Sequence, residues 1–193
     1  MLKIKEGEPW VMWPNNLVDN FLEFPSNRIF DYNCDFEFNL DFELTDRIMT
    51  KSTLFAKLPS YLGLDLESQG ILFILSEEGL DTKYITHQHN WEVGKKYSLL
   101  IKRVDKTLTI DLDSITIIQI DITTSIPNDS NSHIVFGSGN FPQNGFNLNY
   151  LSVILHYLSI KKEGVLISEH LFKKFINNKS FDETNNCNFI YKI

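Results

Sequence analysis

Residues 35–45 read Asp-Phe-Glu-Phe-Asn-Leu-Asp-Phe-Glu-Leu-Thr, a near-perfect alternation of polar and apolar side chains. In an extended chain successive side chains point to opposite faces. Phe36, Phe38, Leu40, Phe42 and Leu44 therefore share one face, and Asp35, Glu37, Asn39, Asp41 and Glu43 share the other. A helix would scatter those five apolar residues around its circumference and bury none of them well. The segment predicts a β-strand with one buried and one wet face. Four carboxylates and an amide lie along the wet face, which is either a solvated strand or the floor of a site.

The same kind of reading extends along the chain. Strand-like runs rich in β-branched and aromatic residues occupy 28–32, 35–45, 53–58, 62–67, 70–76, 83–87, 97–104, 107–113, 116–122, 133–136 and 149–159. Asp105-Lys106 reads as a two-residue hairpin connection without the usual Gly, and 125–132 and 137–145 read as loops. One segment departs from the pattern. Leu171, Phe172, Phe175 and Ile176 fall at helical spacing after Ser168, a suitable N-cap, with Glu169 in the first turn and Asn177-Asn178 as the stop. The tail 188–193 reads as a last strand. Many short strands at even spacing and one short helix near the C-terminus predict an all-β antiparallel β-sandwich or jelly roll. With no linker, repeat or low-complexity tract, 1–193 is expected to be a single domain, with 1–27 and 177–193 as extensions of the sandwich.

Composition sets the excluded classes. The net charge of −7 argues against a nucleic-acid partner, since phosphate binding needs a basic surface. No apolar run approaches the ~18 residues of a transmembrane helix, so no membrane insertion is expected. The first ten residues mix Lys3, Lys5, Glu6 and Glu8 and hold no apolar h-region, so no signal peptide is visible. That predicts a cytoplasmic or virion-associated protein if the chain is complete. Cys34 and Cys187 are most simply free thiols.

Trp91-Glu-Val-Gly-Lys-Lys-Tyr97-Ser-Leu-Leu-Ile-Lys-Arg followed by Thr107-Leu-Thr-Ile-Asp-Leu-Asp-Ser resembles the middle of a laminin-G-like domain of the concanavalin A-like lectin/glucanase superfamily. Asp113-Ser114 stands where such domains carry an Asp-Gly hairpin. His133-Ile-Val-Phe-Gly137 resembles the short strand before the closing one, and 146–157 and 165–175 resemble the closing strand and the small Ser-capped helix after it. The resemblance spans roughly residues 28–176 and implies a concanavalin A-like jelly roll. That sandwich hosts lectins, glycan-binding modules, hydrolases and adhesion domains. Calcium is common in the superfamily, and here Asn128, Asp129 and Asn131 form a weak candidate for it; no other cofactor is expected.

Three groups carry candidate chemistry. Glu37, Asp41 and Glu43 are candidate catalytic carboxylates. Superfamily glucanases resemble one another in a Glu-x-Asp-x-x-Glu strand, and same-face carboxylates two rises of ~3.3 Å apart can meet the ~5–5.5 Å or ~6.5–9.5 Å separations of glycoside hydrolysis. Here Asn39 interrupts the motif. His87-Gln-His89-Asn-Trp91 places two histidines on one strand face beside an indole, which suits a sugar ring, a metal with a third ligand, or a core Trp. Asn140, Phe141 and Asn144 combine amides with an aromatic face, as sugar hydroxyls over an apolar ring require. Trp10 and Trp13 suit packing within the sandwich or onto a partner subunit, and His156 reads as an ordinary strand residue. A non-catalytic glycan- or polysaccharide-binding domain is the first expectation. A glycoside hydrolase or polysaccharide lyase, and a structural or adhesion module with oligomerisation allowed, are the alternatives.

Overall fold

The computed structural model describes residues 2–4, 21–23, 31–45, 47–48, 52–57, 62–127, 134–136, 153–170, 175–176, 179–180 and 190–192. The strands among them, in chain order, are β1 (Leu2–Ile4), β2 (Phe21–Glu23), β3 (Phe36–Leu44), β4 (Ser52–Lys57), β5 (Leu62–Glu67), β6 (Gly70–Leu75), β7 (Lys83–Gln88) and β8 (Lys96–Val104). They continue with β9 (Thr107–Leu112), β10 (Ile115–Asp121), β11 (Ile134–Phe136), β12 (Val153–Lys162), β13 (Val165–His170), β14 (Phe175–Ile176), β15 (Lys179–Ser180) and β16 (Ile190–Lys192).

They form two antiparallel sheets. The first runs β1-β12-β3-β8-β9-β10, with β13 pairing a different stretch of β12 from the one β1 pairs; the second runs β14-β15-β16-β2-β11-β4-β5-β6-β7. The acidic strand β3 pairs β8 and β12 rather than its chain neighbours, so the chain crosses between sheets as in a jelly-roll sandwich. The predicted all-β antiparallel sandwich is the fold.

The core lies between the sheets and follows from the alternation. Phe36, Phe38, Leu40, Phe42 and Leu44 are buried, while every intervening residue of β3 is half-buried. Their ring-bearing members meet Tyr32 and, across the sandwich, Phe55 of β4, whose ring lies 5.3 Å from that of Phe38. Leu62, Leu64 and Leu66 with Ile71, Phe73 and Leu75 complete the opposing side.

Turns explain the hairpins. Asp113 and Ser114 both take positive φ, 51° and 67°, so Asp-Ser makes the two-residue β9–β10 turn with the left-handed geometry that Asp-Gly usually supplies. Asp105, at φ 53°, does the same work between β8 and β9. Gly70 is required for a different reason. A Cβ there would sit 2.1 Å from the His87 carbonyl oxygen of the paired strand. Gly70→Ala is expected to force β6 and β7 apart and cost about 2–3 kcal/mol in urea unfolding, the usual penalty of overpacking. Wild-type stability in that variant would show that the two strands can separate at no cost.

Two sequence expectations change. Asp31 and Tyr32, read as a strand end, lie outside any strand, because the Asp31 carboxylate accepts the Asn33 N–H and closes a turn. Ser168, read as a helix N-cap, lies buried inside β13 opposite Ile160, and Phe175–Ile176 is a strand. Pairing with β12 holds Ser168 in a strand and overrides its local preference for a helix N-cap. Residues 171–174, the rest of the expected helix, lie outside the described residues. Cys34 carries a free thiol that donates to the Asp31 carbonyl; Cys187 lies outside the described residues.

Candidate functional site

The wet face of β3 is a patterned polar surface. Register places Lys102 of β8 on one side of Glu37 and Lys161 of β12 on the other. Lys161 donates to Glu37 Oε2 at 2.9 Å, and Lys102 lies 3.4 Å from Oε1. The Lys161 hydrogen bond does most to hold the Glu37 carboxyl below its ordinary range, against burial, with Lys102 adding to it. At the other end, His156 Nε2 lies 3.2 Å from Glu43 Oε2. His156 falls where the β12–β3 register shifts between Leu155 and Tyr157, and it partners a candidate carboxylate instead of being an idle strand residue.

The middle of the strand differs. Asn39 is flanked by Leu100 and Ser159, and Asp41 by Ser98 and Tyr157. Among the described residues neither the Asn39 amide nor the Asp41 carboxylate makes a side-chain hydrogen bond or ion pair. Beside them the Tyr157 hydroxyl donates to Glu169 Oε1 at 2.8 Å, and burial raises the phenol's pKa. The face thus has two partnered ends and a half-buried centre with free hydrogen-bonding capacity next to an aromatic ring.

The general-acid role in hydrolysis fits Glu37 poorly. A general acid needs a carboxyl pushed upward, and Glu37 is pushed the other way between two ammonium groups. Glu43 meets an imidazole rather than a second carboxyl.

The His87–Trp91 group is a seam between the sheets. His87 lies opposite Ile71, on the sandwich-facing side of β7. The His89 ring meets Trp91 edge-on at 4.4 Å and Tyr97 at 5.6 Å, and Trp91 also packs on Tyr97 and Phe42. The indole N–H is shared between the carbonyls of Glu67 and Gly70, at 3.0 and 3.1 Å. Burial, with the charges of Lys95 and His87, holds His89 below the ordinary histidine range. The geometry of His89 and Trp91 ties the β5–β6 turn to β3 and β8.

Asn140, Phe141 and Asn144 lie outside the described residues, as do Trp10, Trp13, Asn128, Asp129 and Asn131. Among the described residues no group of three or more His, Cys, Asp or Glu side chains is placed to hold a metal ion. No helix among them is long and apolar enough to cross a membrane. Sequence reasoning passed over Lys102, Lys161, Glu77 and Arg103. A short charged residue pattern gives no sign of which distant strand will face it.

Two packed antiparallel sheets define an all-β, jelly-roll-like sandwich. Solved structures agree on the fold. The chain is similar to a putative carbohydrate binding protein from Bacteroides ovatus, with TM-score 0.63 and 8% identity over 88% of this chain and 55% of that one. It is also similar to domains LG4-5 of the mouse laminin alpha1 chain, with TM-score 0.55 and 12% identity over 77% and 40%. A native heptameric SAP-like pentraxin from Limulus polyphemus gives TM-score 0.53 and 14% identity over 79% and 72%. This chain thus spans less than two thirds of the Bacteroides and laminin chains. At such identities the likeness is one of fold alone. No family model matches the sequence, and no curated protein matches it either.

Proposed function

We propose that the protein is a non-catalytic carbohydrate-binding module on a concanavalin A-like, laminin-G-like sandwich, taking its glycan on the wet face of β3. One observation carries this reading: Asn39 and Asp41 keep unpaired polar groups in a half-buried surface whose remaining carboxylates, Glu37 and Glu43, already have partners. An amide and a carboxylate accept and donate to vicinal hydroxyls, and the neighbouring Tyr157 offers an apolar ring edge. The similarity in fold to a putative carbohydrate binding protein supports the same reading. Asn140, Phe141 and Asn144 enter it on their chemistry alone, as contacts from a loop, and His87, His89 and Trp91 as contacts at the seam.

Affinity electrophoresis on polysaccharides and a glycan array, with and without calcium, test it. Binding is expected, and Asp41→Asn with Asn39→Ala is expected to weaken it at least about tenfold, the effect of losing hydrogen bonds to a charged acceptor. Absence of binding across diverse glycans under both conditions would reject the proposal. Binding that ignores both substitutions would move the site elsewhere on the sandwich.

A further inference from the structure

Away from β3, a depression of about 330 Å³ opens where the β8–β9 turn meets the segment after β10. Arg103 and Lys106 line it, with Asn33 and residues 122–125 as walls. Hydrogen bonds tie the walls to one another. Ile122 N–H donates to the Lys106 carbonyl at 2.7 Å. Asn33 and Ile126 exchange two hydrogen bonds, at 2.8 and 2.9 Å.

Arg103 is only 7% exposed, a burial that a guanidinium normally reaches beside a carboxylate. Here its Nε donates to the Asp105 carbonyl, and its Nη1 to the Tyr32 carbonyl and the Asn33 side-chain oxygen. Among the described residues no carboxylate pairs with it, and its Nη2 has no hydrogen-bond acceptor. Lys106 likewise makes no ion pair among them. The nearby carboxylates are engaged elsewhere. Glu77 is held by Lys83 and Thr123, Glu78 by Ser125, Asp35 by the Asp105 N–H and Asp31 by the Asn33 N–H.

We infer that this depression is a recognition site for a monosaccharide-sized organic carboxylate, held by Arg103 and Lys106. A guanidinium and an ammonium lining one hollow suit a single carboxylate, with one oxygen for each cation. The volume is at the lower end of ligand pockets, which limits the ligand to a small one. The net charge of −7 and the exposed Asp105 in the same turn favour a monoanion over a dianion. The inference stands on this pocket alone and does not depend on glycan binding at β3.

Titration of the labelled protein with glucuronate, glucose and inorganic phosphate, followed by amide NMR, tests it. Glucuronate is expected to shift the amides of residues 103–106 and 122–125, glucose to leave them in place, and phosphate to act only at higher concentration. Lys106 is exposed, so Lys106→Ala should keep the wild-type unfolding midpoint while weakening glucuronate binding at least fivefold. The inference is overturned if glucuronate moves none of these signals or glucose moves them equally. It is also overturned if phosphate binds as tightly as glucuronate, or if Lys106→Ala leaves glucuronate affinity unchanged.

Discussion

Glu77→Ala is expected to destabilise the protein by about 3–5 kcal/mol, the usual cost of removing one partner from a buried charged network. Glu77 lies in the β6–β7 turn with its side chain 1% exposed. One carboxylate oxygen meets the Lys83 ammonium. The other accepts the Thr123 N–H at 2.6 Å, the Thr124 N–H at 2.8 Å and the Thr123 hydroxyl at 2.9 Å. The residue therefore fastens the edge of one sheet to the exit of β10 in the other, and its loss orphans two backbone donors and a lysine. Burial alone would push its carboxyl upward. Lys83, the Thr123 and Thr124 N–H groups and the Thr123 hydroxyl together overcome that and hold it at about 2, from an ordinary 4.5. Because the folded value is depressed, the stabilisation is complete above pH 4.5 and is lost as pH falls toward about 2. A shift of that size corresponds to roughly 3 kcal/mol. Urea unfolding at pH 7 and at pH 3 checks both points. Glu77→Gln should unfold more easily at pH 7 and lose less stability than wild type on acidification, since its amide cannot titrate. An acid response as steep as the wild type's would assign the pH dependence to other carboxylates.

Local periodicity carried most of the fold. The strand expected over 35–45 is observed as Phe36–Leu44, and that expected over 62–67 is observed with the same bounds, because alternation or a compact apolar run encodes the buried face directly. What failed depended on distant partners. β13 carries Ser168 inward against β12, a placement no local pattern announces. β1 and β2 are three-residue strands defined by pairing with β12 in one case and with β11 and β16 in the other. The candidate site was legible to the same extent. Glu37, Asp41 and Glu43 share a face as expected, but the lysine that neutralises Glu37 lies 124 residues away and the histidine meeting Glu43 lies 113 away. Sequence could place the carboxylates; only the sheet register separates the paired ones from the free one.

Phe38→Ala and Glu37→Gln, neighbours in the chain, are expected to differ several-fold in their cost. Phe38 is 2% exposed, and its ring lies 5.1 Å from Phe36, 6.2 Å from Tyr32 and 5.3 Å from Phe55 in the opposite sheet. Truncating it removes apolar contact on both sides of the sandwich and leaves a cavity that β3, pinned between β8 and β12, cannot close by moving. Such changes cost about 3–5 kcal/mol. Glu37 stands one residue away on the opposite face, 28% exposed, and its two lysines are 39% and 43% exposed and can return to water. Its replacement by Gln should cost no more than about 1 kcal/mol, as for other solvent-screened ion pairs. Equilibrium urea unfolding of the two variants with a common m-value measures the contrast. Equal costs would mean that the polar face of β3 is buried as deeply as the apolar one, and a surface that deeply covered could not receive a glycan at Asn39 and Asp41.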